Sequence, residues 1–285
     1  MLRKIRITLA ILSIIGVSLL FLDFTGTIHA WLGWLAKIQF LPALLALNIG
    51  VVITLVLLTL IFGRIYCSVI CPLGIMQDGI SWLGSKRKKN RFRYSPAMSW
   101  LRYGVLFVFV LALVAGVGSL VALLAPYSAY GRIANNLFQP LWMWGNNLFA
   151  YLAARVESYA FYEVDVWMKS LPTFLVALAT LVVLVILVWR NGRTYCNTIC
   201  PVGTVLGFIS RYSLYRVTID TDKCNSCGLC ARQCKAACID SKEHKIDGSR
   251  CVACMNCLDA CRKNALTYAP VWKTKKQATG TEKPE

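Results

Sequence analysis

The chain has 285 residues, of which 57% are hydrophobic and 15% charged, and its formal net charge is +18. Soluble domains carry about 25% charged residues, so this composition indicates a membrane protein with a soluble part. The basic excess does not indicate nucleic-acid binding, because the sequence has no separate basic domain with interleaved aromatic residues.

Four apolar segments, residues 7–22, 41–62, 103–125 and 171–189, predict four transmembrane helices. The first follows three basic residues, which is also how a secretory signal begins, but no small-x-small cleavage site follows it. The four segments contain no acidic or basic side chain. Ion transport, which needs such groups inside the membrane, is therefore disfavoured.

Basic residues are concentrated on one side of the predicted membrane. Loops 23–42 and 126–170 balance positive and negative charges, whereas residues 64–102 hold one acid, Asp78, against a basic set. That set is Arg64, Lys86, Arg87, Lys88, Lys89, Arg91, Arg93 and Arg102. The positive-inside rule then predicts a multi-pass protein of the cytoplasmic (inner) membrane, with both termini and the basic loop in the cytoplasm and in contact with anionic lipid.

The two loops on the opposite side are rich in aromatic residues. These are Trp31, Trp34, Trp142, Trp144, Tyr151, Tyr159, Tyr162 and Trp167. They are typical of an interfacial aromatic belt, and the alternative is a pocket for a quinone ring between the helix ends.

An internal repeat organises the membrane part. The stretch RIYCSVICPLG at residues 64–74 recurs 129 residues later as RTYCNTICPVG at residues 193–203. Each copy follows a Trp, a Lys, a Leu-Pro pair, an apolar span and Gly-Arg. The pattern predicts two tandem copies of a two-helix unit in one orientation, with both cysteine pairs at the same membrane face.

Each repeat carries a C-x3-C-P motif. Cys67 and Cys71, like Cys196 and Cys200, would share one face of a helix. The proline that follows disfavours helix in the preceding residue, so each pair is expected at a helix break. If the pairs meet across the repeat axis, they form a four-thiolate cage for a third metal centre. Redox-active dithiols and simple packing cysteines are the alternatives.

Eight further cysteines form two C-x2-C-x2-C-x3-C runs, the bacterial two-cluster ferredoxin pattern. In this pattern the fourth cysteine of each run binds the other cluster. One expected [4Fe-4S] ligand set is therefore Cys224, Cys227, Cys230 and Cys261, and the other is Cys251, Cys254, Cys257 and Cys234. Paired C-x2-C motifs also make zinc sites, but the added x3 step favours iron–sulfur ligation.

Two features depart from that pattern. Lys235 and Arg262 replace the proline that usually follows each fourth cysteine, and positive charge beside a cluster would raise its reduction potential. Cys238 is a spare cysteine, since its counterpart in the second run is Ala265. It is interpreted as a small buried hydrophobe, with an alternative ligand or reactive thiol as the other interpretation.

Together these residues resemble the NapH/MauN family of polyferredoxin-like membrane proteins. That family includes the quinol-dehydrogenase membrane subunit of periplasmic nitrate reductase systems and is related to the membrane part of the nitrous oxide reductase regulator. The resemblance extends from residue 1 to about residue 268. It implies two [4Fe-4S] clusters on the eight ferredoxin cysteines, and electron transfer between the membrane quinone pool and iron–sulfur or cytochrome partner subunits.

The expected fold is an α-helical membrane protein of four transmembrane helices in two tandem two-helix repeats, with a C-terminal α+β two-cluster ferredoxin-like domain. The transmembrane domain is expected at residues 1–215 and the ferredoxin-type domain at residues 216–268, followed by a disordered polar tail at residues 269–285. The predicted function is electron transfer between the quinone pool and redox partners, in a direction that the sequence leaves open, by one subunit of a quinol dehydrogenase or oxidoreductase complex and not by a stand-alone enzyme. The alternative is a redox-sensing or metalloenzyme-maturation factor that uses the same clusters.

Overall fold

The computed structural model describes residues 2–23, 26–87, 92–155, 162–166 and 170–272. Several residues that carry predictions lie outside this description: Lys88, Lys89, Arg91, Tyr159, Trp167 and most of the predicted tail, together with the side chains of Lys86 and Arg87. The described residues form a helical body followed by a small module of short helices and strands.

Two of the four predicted spans are single helices long enough to cross a bilayer, α1 (Leu2–Leu22) and α12 (Leu171–Asn191), each of 21 residues. The second predicted span is divided into α4 (Phe40–Leu45) and α5 (Ile49–Phe62) by Leu47, whose φ is 52°. The third is divided into α8 (Ser99–Val114) and α9 (Gly118–Leu124) by Gly116, whose φ is 71°. Four spans therefore stay a prediction.

The long helices present apolar side chains outward. Ile53 on α5, Phe107 on α8 and Val183 on α12 are all more than half exposed. Such continuous exposed apolar faces are unfavourable in water and favourable against lipid. The chain is thus built to associate with a membrane.

Five aromatic residues of the predicted belt lie on helices at one end of this body: Trp31 on α2 (Thr27–Leu32), Trp34 on α3 (Trp34–Lys37), and Trp142, Trp144 and Tyr151 on α11 (Gln139–Ala154). The helix α10 (Pro126–Ile133) and a π-helical turn (Ala134–Phe138) precede α11. The described members, Trp31, Trp34, Trp142, Trp144, Tyr151 and Tyr162, are more than half exposed. This exposure favours a belt at the membrane surface over an enclosed ring pocket.

The cysteine pairs lie at the opposite end, in two helix–break–helix units. The first comprises α6 (Tyr66–Val69) and α7 (Pro72–Arg87), and the second comprises α13 (Thr194–Thr198) and α14 (Pro201–Ser210). In both units the second helix starts at the proline, so the predicted break lies at Cys71 and Cys200.

The C-terminal module is a small α+β fold. Its strand β1 (Tyr215–Ile219) pairs antiparallel with β4 (Leu266–Pro270), in register Tyr215↔Pro270. A second ladder joins β2 (Ile239–Asp240) to β3 (Lys245–Ile246), and two short helices, α15 (Leu229–Gln233) and α16 (Asn256–Ala260), contact each other. Strand β4 continues two residues past the predicted domain end at residue 268.

The module docks against the helical body at the end that carries the cysteine pairs. The Leu214 amide donates to Leu60 O at 2.8 Å, and the Tyr268 hydroxyl donates to Phe62 O at 2.9 Å. The start of α1 reaches the same module through an ion pair of 2.7 Å between Arg3 and Asp259. The N-terminal end of α1 and the ferredoxin cysteines therefore lie on one side of the body.

Candidate iron–sulfur sites

The first set of ferredoxin cysteines surrounds a cavity of about 220 Å³. Its lining includes one whole predicted ligand set, Cys224, Cys227, Cys230 and Cys261. The structure therefore brings the fourth cysteine of the second run beside the first three of the first run, as the spacing predicts for a two-cluster ferredoxin.

The loops around the cysteines depend on left-handed backbone positions that repeat with the sequence. Ser226, Gly228 and Ala237 have positive φ, and so do the residues 27 positions later, Ala253, Met255 and Asn264. Alternation of left- and right-handed residues turns successive amide groups toward one point, which is how backbone nests bind iron–sulfur clusters. The two runs thus share one local conformation.

The second set of ferredoxin cysteines also surrounds a cavity, although a narrower one of about 10 Å³. Its lining includes the other predicted ligand set together with the spare cysteine: Cys234, Cys238, Cys251, Cys254 and Cys257. Cys238 is buried, and its Sγ lies 3.5 Å from the Sγ of Cys234. Contact with the Cys238 thiol lowers the pKa of Cys234 to about 7. Cys238 is therefore a fifth sulfur beside this ligand set.

Both cavities suit a cluster by their donor chemistry, since four thiolates are the ligands of a [4Fe-4S] cube. Within the described residues, no group of three or more His, Cys, Asp and Glu side chains is close enough to hold a single metal ion. The preference for iron–sulfur ligation over zinc therefore rests on the cysteine spacing, and the cavity beside the first set, of about 220 Å³, is far larger than the one of about 10 Å³ beside the second.

The C-x3-C-P cysteines of the two repeats meet in a separate place, called here the membrane cysteine site and defined by Cys67, Cys71, Cys196 and Cys200. All four are at most 4% exposed and belong to one apolar cluster. In each motif two successive amides donate to the same tyrosine carbonyl, that of Tyr66 or Tyr195. This tight turn ends the short helix and points both cysteines inward.

Each repeat fixes the cysteine of the other repeat through an arginine. Arg64, which opens the first motif, donates to Cys196 O at 3.1 Å. Arg193, which opens the second motif, donates to Cys67 O at 2.7 Å. Since Arg64 and Arg193 are fully buried, the two repeats are locked together by reciprocal hydrogen bonds at the membrane cysteine site.

The electrostatics of this site oppose free thiolates. Burial, and then repulsion from Cys67 and Cys196, raises the pKa of Cys71. Burial also raises the pKa of Cys196 to about 11, although Arg193 counteracts part of that effect. Cys71 and Cys196 are therefore disfavoured as free thiolates at neutral pH.

Two buried donors beside the membrane cysteine site lack a full set of acceptors. Gln77 accepts from Cys196 Sγ at 3.5 Å, but its buried Nε2 finds no acceptor among the described residues. Arg64 has no carboxylate partner in the described part of the chain, and its guanidinium lies 3.9 Å from Cys67 Sγ. An anionic group bound by the cysteines would satisfy both residues.

Asp78 connects the two kinds of site. Its carboxylate contacts Arg6 of α1 at 2.7 Å, Arg193 at 2.9 Å and Lys235, the residue after Cys234, at 3.3 Å. Burial alone would raise the pKa of Asp78, but Arg193, Lys235 and Arg6 outweigh it and hold this pKa well below its ordinary value. Lys235 is therefore paired with Asp78, and the effect of its charge on a cluster potential stays a prediction.

The apolar cluster that contains the membrane cysteine site also contains Val252 and Cys254 of the ferredoxin module. Asn197, next to Cys196, donates to Ala236 O at 3.2 Å, and Arg64 donates to Ser249 O at 3.0 Å. The second ferredoxin ligand set thus adjoins the membrane cysteine site through Cys254, whereas Cys234 and Cys257 belong to the module's own apolar cluster.

Sequence reasoning did not assign roles to Arg64, Arg193, Gln77 and Asp78. Both arginines were visible in the repeated stretch, and Asp78 was visible as the lone acid of residues 64–102. Gln77 gave no signal, because its position in the second repeat is taken by Leu206.

Comparison with known proteins finds two matching family models and several related sequences. A family described as 4Fe-4S binding domain matches residues 44–91 and again 171–218, and a second family of the same description matches residues 244–267. The ferredoxin-type protein NapH of Haemophilus influenzae is 29% identical over 80% of the chain and 70% of its own length. The methylamine utilization ferredoxin-type protein MauN of Paracoccus denitrificans is 28% identical over 61% of the chain and 49% of its own length.

The chain is thus similar to the ferredoxin-type proteins NapH and MauN. An uncharacterized protein of Methanocaldococcus jannaschii is 36% identical over 29% of the chain and 33% of its own length, so the chain covers a third of that relative and half of MauN. No solved structure matches the chain. The chain therefore contains segments of the 4Fe-4S binding type, and its two long apolar helices are consistent with membrane association.

Proposed function

We propose that the chain passes electrons between the membrane quinone pool and redox partner subunits through two [4Fe-4S] clusters. The observation that carries the cluster count is the pair of ferredoxin cavities, each lined by one predicted ligand set. One cluster is held by Cys224, Cys227, Cys230 and Cys261, and the other by Cys251, Cys254, Cys257 and Cys234.

A third iron–sulfur centre in the membrane cysteine site extends this proposal. Four buried cysteines converge there from two segments that each match a 4Fe-4S binding domain. Arg64 and the Nε2 of Gln77 supply buried donors that need an anionic partner. A cluster bound by four thiolates is anionic, and burying it beside a cation offsets the cost of burying either alone.

The proposed membrane arrangement is supported by the position of the ferredoxin module and by the distribution of charge. Residues 1–215 form four spans in two repeats, residues 216–268 form the ferredoxin-type domain, and residues 269–285 form the polar tail. The ferredoxin module docks beside the basic ends of the spans, so the positive-inside rule assigns the module and both termini to the cytoplasmic side of the inner membrane.

Burial favours this electron-carrying role over a thiol-based redox sensor. A sensor cysteine must be exposed and have a low pKa, whereas the membrane cysteines are at most 4% exposed and burial raises the pKa of Cys71 and Cys200. Cysteines of this kind serve as ligands or packing residues.

Counting iron and acid-labile sulfide per chain, on anaerobically purified protein, tests the number of centres. We expect about twelve iron atoms in the wild type and about eight after Cys67, Cys71, Cys196 and Cys200 are all changed to Ser. We expect Cys224→Ser to lower the iron count, because the first ferredoxin cluster loses a ligand. Cys238→Ser is the matched control and should keep all of the iron. About eight iron atoms in both the wild type and the quadruple variant would remove the third centre from the proposal.

Quinone coupling needs a separate measurement. EPR of the oxidised protein in nanodiscs would be followed after anaerobic addition of reduced 2-methyl-1,4-naphthoquinone, with dithionite as the reference reductant. We expect the quinol to produce reduced-cluster signals that the same quinol does not produce when the cysteines of both ferredoxin runs are changed to Ser. If dithionite reduces the clusters and the quinol does not, the quinone link is contradicted.

A further inference from the structure

A cavity of about 250 Å³ lies where the ferredoxin module meets the end of α5. Its walls include Phe62, the last residue of α5, and Tyr215 and Tyr268 from the paired strands β1 and β4. The rings of Phe62 and Tyr215 stack at 5.7 Å, and those of Tyr215 and Tyr268 approach to 5.8 Å. We call this space the interface cavity.

The interface cavity touches both redox regions. Cys251, a predicted ligand of the second ferredoxin cluster, lines it directly. Arg64 lines it as well, and the same guanidinium reaches Cys67 Sγ at 3.9 Å. A molecule bound there would lie beside one proposed cluster, and Arg64 alone would separate it from Cys67 of the membrane cysteine site.

The polar lining of the cavity is made mainly of donors. Arg64, Arg211 and Arg216 contribute guanidinium groups, and the buried Nε of Arg64 has no acceptor among the described residues. The acid in the lining, Asp247, is already engaged by Ser249 and Arg250. The free bonding capacity therefore calls for a ligand that accepts hydrogen bonds.

Apolar side chains beside the cavity are exposed. Leu60, Ile61 and Phe62 at the end of α5 are each more than a third exposed, and so is Leu214, whose amide donates to Leu60 O. An apolar tail could lie along this exposed surface while a ring enters between the aromatic side chains. Arg211 and Arg216, which also line the cavity, are exposed as well.

We infer that the interface cavity binds the head group of a membrane quinone, with the ring against Tyr215 and a ring oxygen toward Arg64. This inference deepens the proposed function and rests on it. The flat apolar ring matches the aromatic wall, the carbonyl oxygens match the arginine donors, and the volume suits a head group whose tail stays outside. Oxidation of a bound quinol breaks its two O–H bonds. Two protons pass to water on the Arg216 side, and two electrons pass singly to the neighbouring iron–sulfur centres.

The test uses an azido derivative of 2-methyl-1,4-naphthoquinone as photoprobe on the full-length protein in nanodiscs. Labelled residues are mapped by mass spectrometry, and labelling against probe concentration gives an apparent Kd. We expect labels within residues 211–217 and 246–251, suppressed by unlabelled quinone. Tyr215→Ala should raise the apparent Kd about tenfold, because the ring contact is lost. Arg211→Gln should also raise the apparent Kd, because a guanidinium donor is lost. Tyr215→Phe should leave it unchanged.

Tyr212→Ala is the matched control, because Tyr212 is a nearby tyrosine that is 71% exposed and is absent from the cavity lining. Iron content and reduction by dithionite, measured on every variant, show that the module remains folded. Labelling elsewhere, or labelling suppressed by phosphatidylglycerol but not by unlabelled quinone, would overturn the inference.

Failure of the inference and failure of the proposed function give different results. If quinol reduces the clusters while the Tyr215 and Arg211 variants bind the probe normally, the proposed function stands and the cavity assignment fails. If the probe binds in the cavity as expected while quinol reduces no cluster, the cavity assignment stands and the quinone link fails.

Discussion

At Gly74 and Gly203 the space that a side chain would need is filled by the other parts of the cysteine site. A Cβ at Gly74 would overlap the carbonyl oxygen of Cys67, and a Cβ at Gly203 would overlap that of Cys196. A Cβ at Gly203 would also lie 2.9 Å from Arg64 Nη2. These glycines therefore let the cysteine carbonyl and the arginine of the other repeat approach the start of the following helix.

Gly74→Ala should lower the stability of the protein. Overfilling a packed site costs about 1–3 kcal/mol, and the clashing group is backbone, which cannot rotate away. Gly79→Ala is the matched control in the same helix, because nothing lies within 4 Å of its Cβ position, and alanine there should be neutral or stabilising by up to about 1 kcal/mol. The measurement is the midpoint of thermal unfolding of both variants in detergent, compared at equal iron content. Equal midpoints would contradict the close packing at Gly74.

The residue pattern around the cysteines was predictable only in part. The spacing of the ferredoxin cysteines indicated both ligand sets, and the structure brings each set around one cavity. The repeated stretch also displayed the arginine and glycine of each motif. It could not reveal that Arg64 bonds the second motif and Arg193 the first, because such a crossing depends on how the repeats pack.

Among the helices and strands, the group around Asp78 is the main electrostatic connection. It joins α1 through Arg6, the second repeat through Arg193 and the ferredoxin module through Lys235. The Arg3–Asp259 pair joins α1 to the same module, but its side chains are 42% and 50% exposed. The two connections link similar elements and differ in burial, which allows a controlled comparison.

Asp78→Asn should destabilise the protein by about 3–5 kcal/mol, since it leaves buried cations without their counter-charge. Asp259→Asn, the exposed control, should cost about 1 kcal/mol or less. Because the pKa of Asp78 is depressed in the folded chain, its contribution is present above the ordinary carboxylate pKa of about 4 and is lost only as pH falls further, through the folded value. The difference between Asp78→Asn and wild type, followed by thermal unfolding, should therefore stay constant from pH 7 to pH 5. A difference that shrinks in this range would contradict the assignment.

The same elements show why the spans were harder to predict than the cysteine motifs. The apolar segments are where hydropathy indicates, yet two are divided by left-handed residues at Leu47 and Gly116. Glycine adopts that conformation easily, but leucine does so only when its surroundings require it. Local sequence therefore gave no sign of the break at Leu47.

At the scale of the whole molecule, the two repeats share one apolar cluster and the ferredoxin module contributes residues to it beside a cluster of its own. The repeats exchange arginines at the membrane cysteine site, and Val252 and Cys254 of the module pack in the same apolar cluster. The sequence predicted two repeats and a module as parts in a row. Their mutual dependence comes from long-range contacts, which periodicity and spacing do not encode.

This mutual dependence predicts how the third centre responds to loss of one repeat's cysteines. If each repeat supplied a separate dithiol site, changing Cys67 and Cys71 to Ser would leave the other pair unaffected. Because all four cysteines share one buried cluster, we expect this double variant and the Cys196 and Cys200 double variant each to lose as much iron as the quadruple variant, about four atoms per chain. Iron content, sulfide content and EPR spectra, measured in parallel on the three variants, distinguish one shared centre from two separate sites. Losses of about half that size in each double variant, adding to the quadruple loss, would show two independent sites and contradict a shared centre.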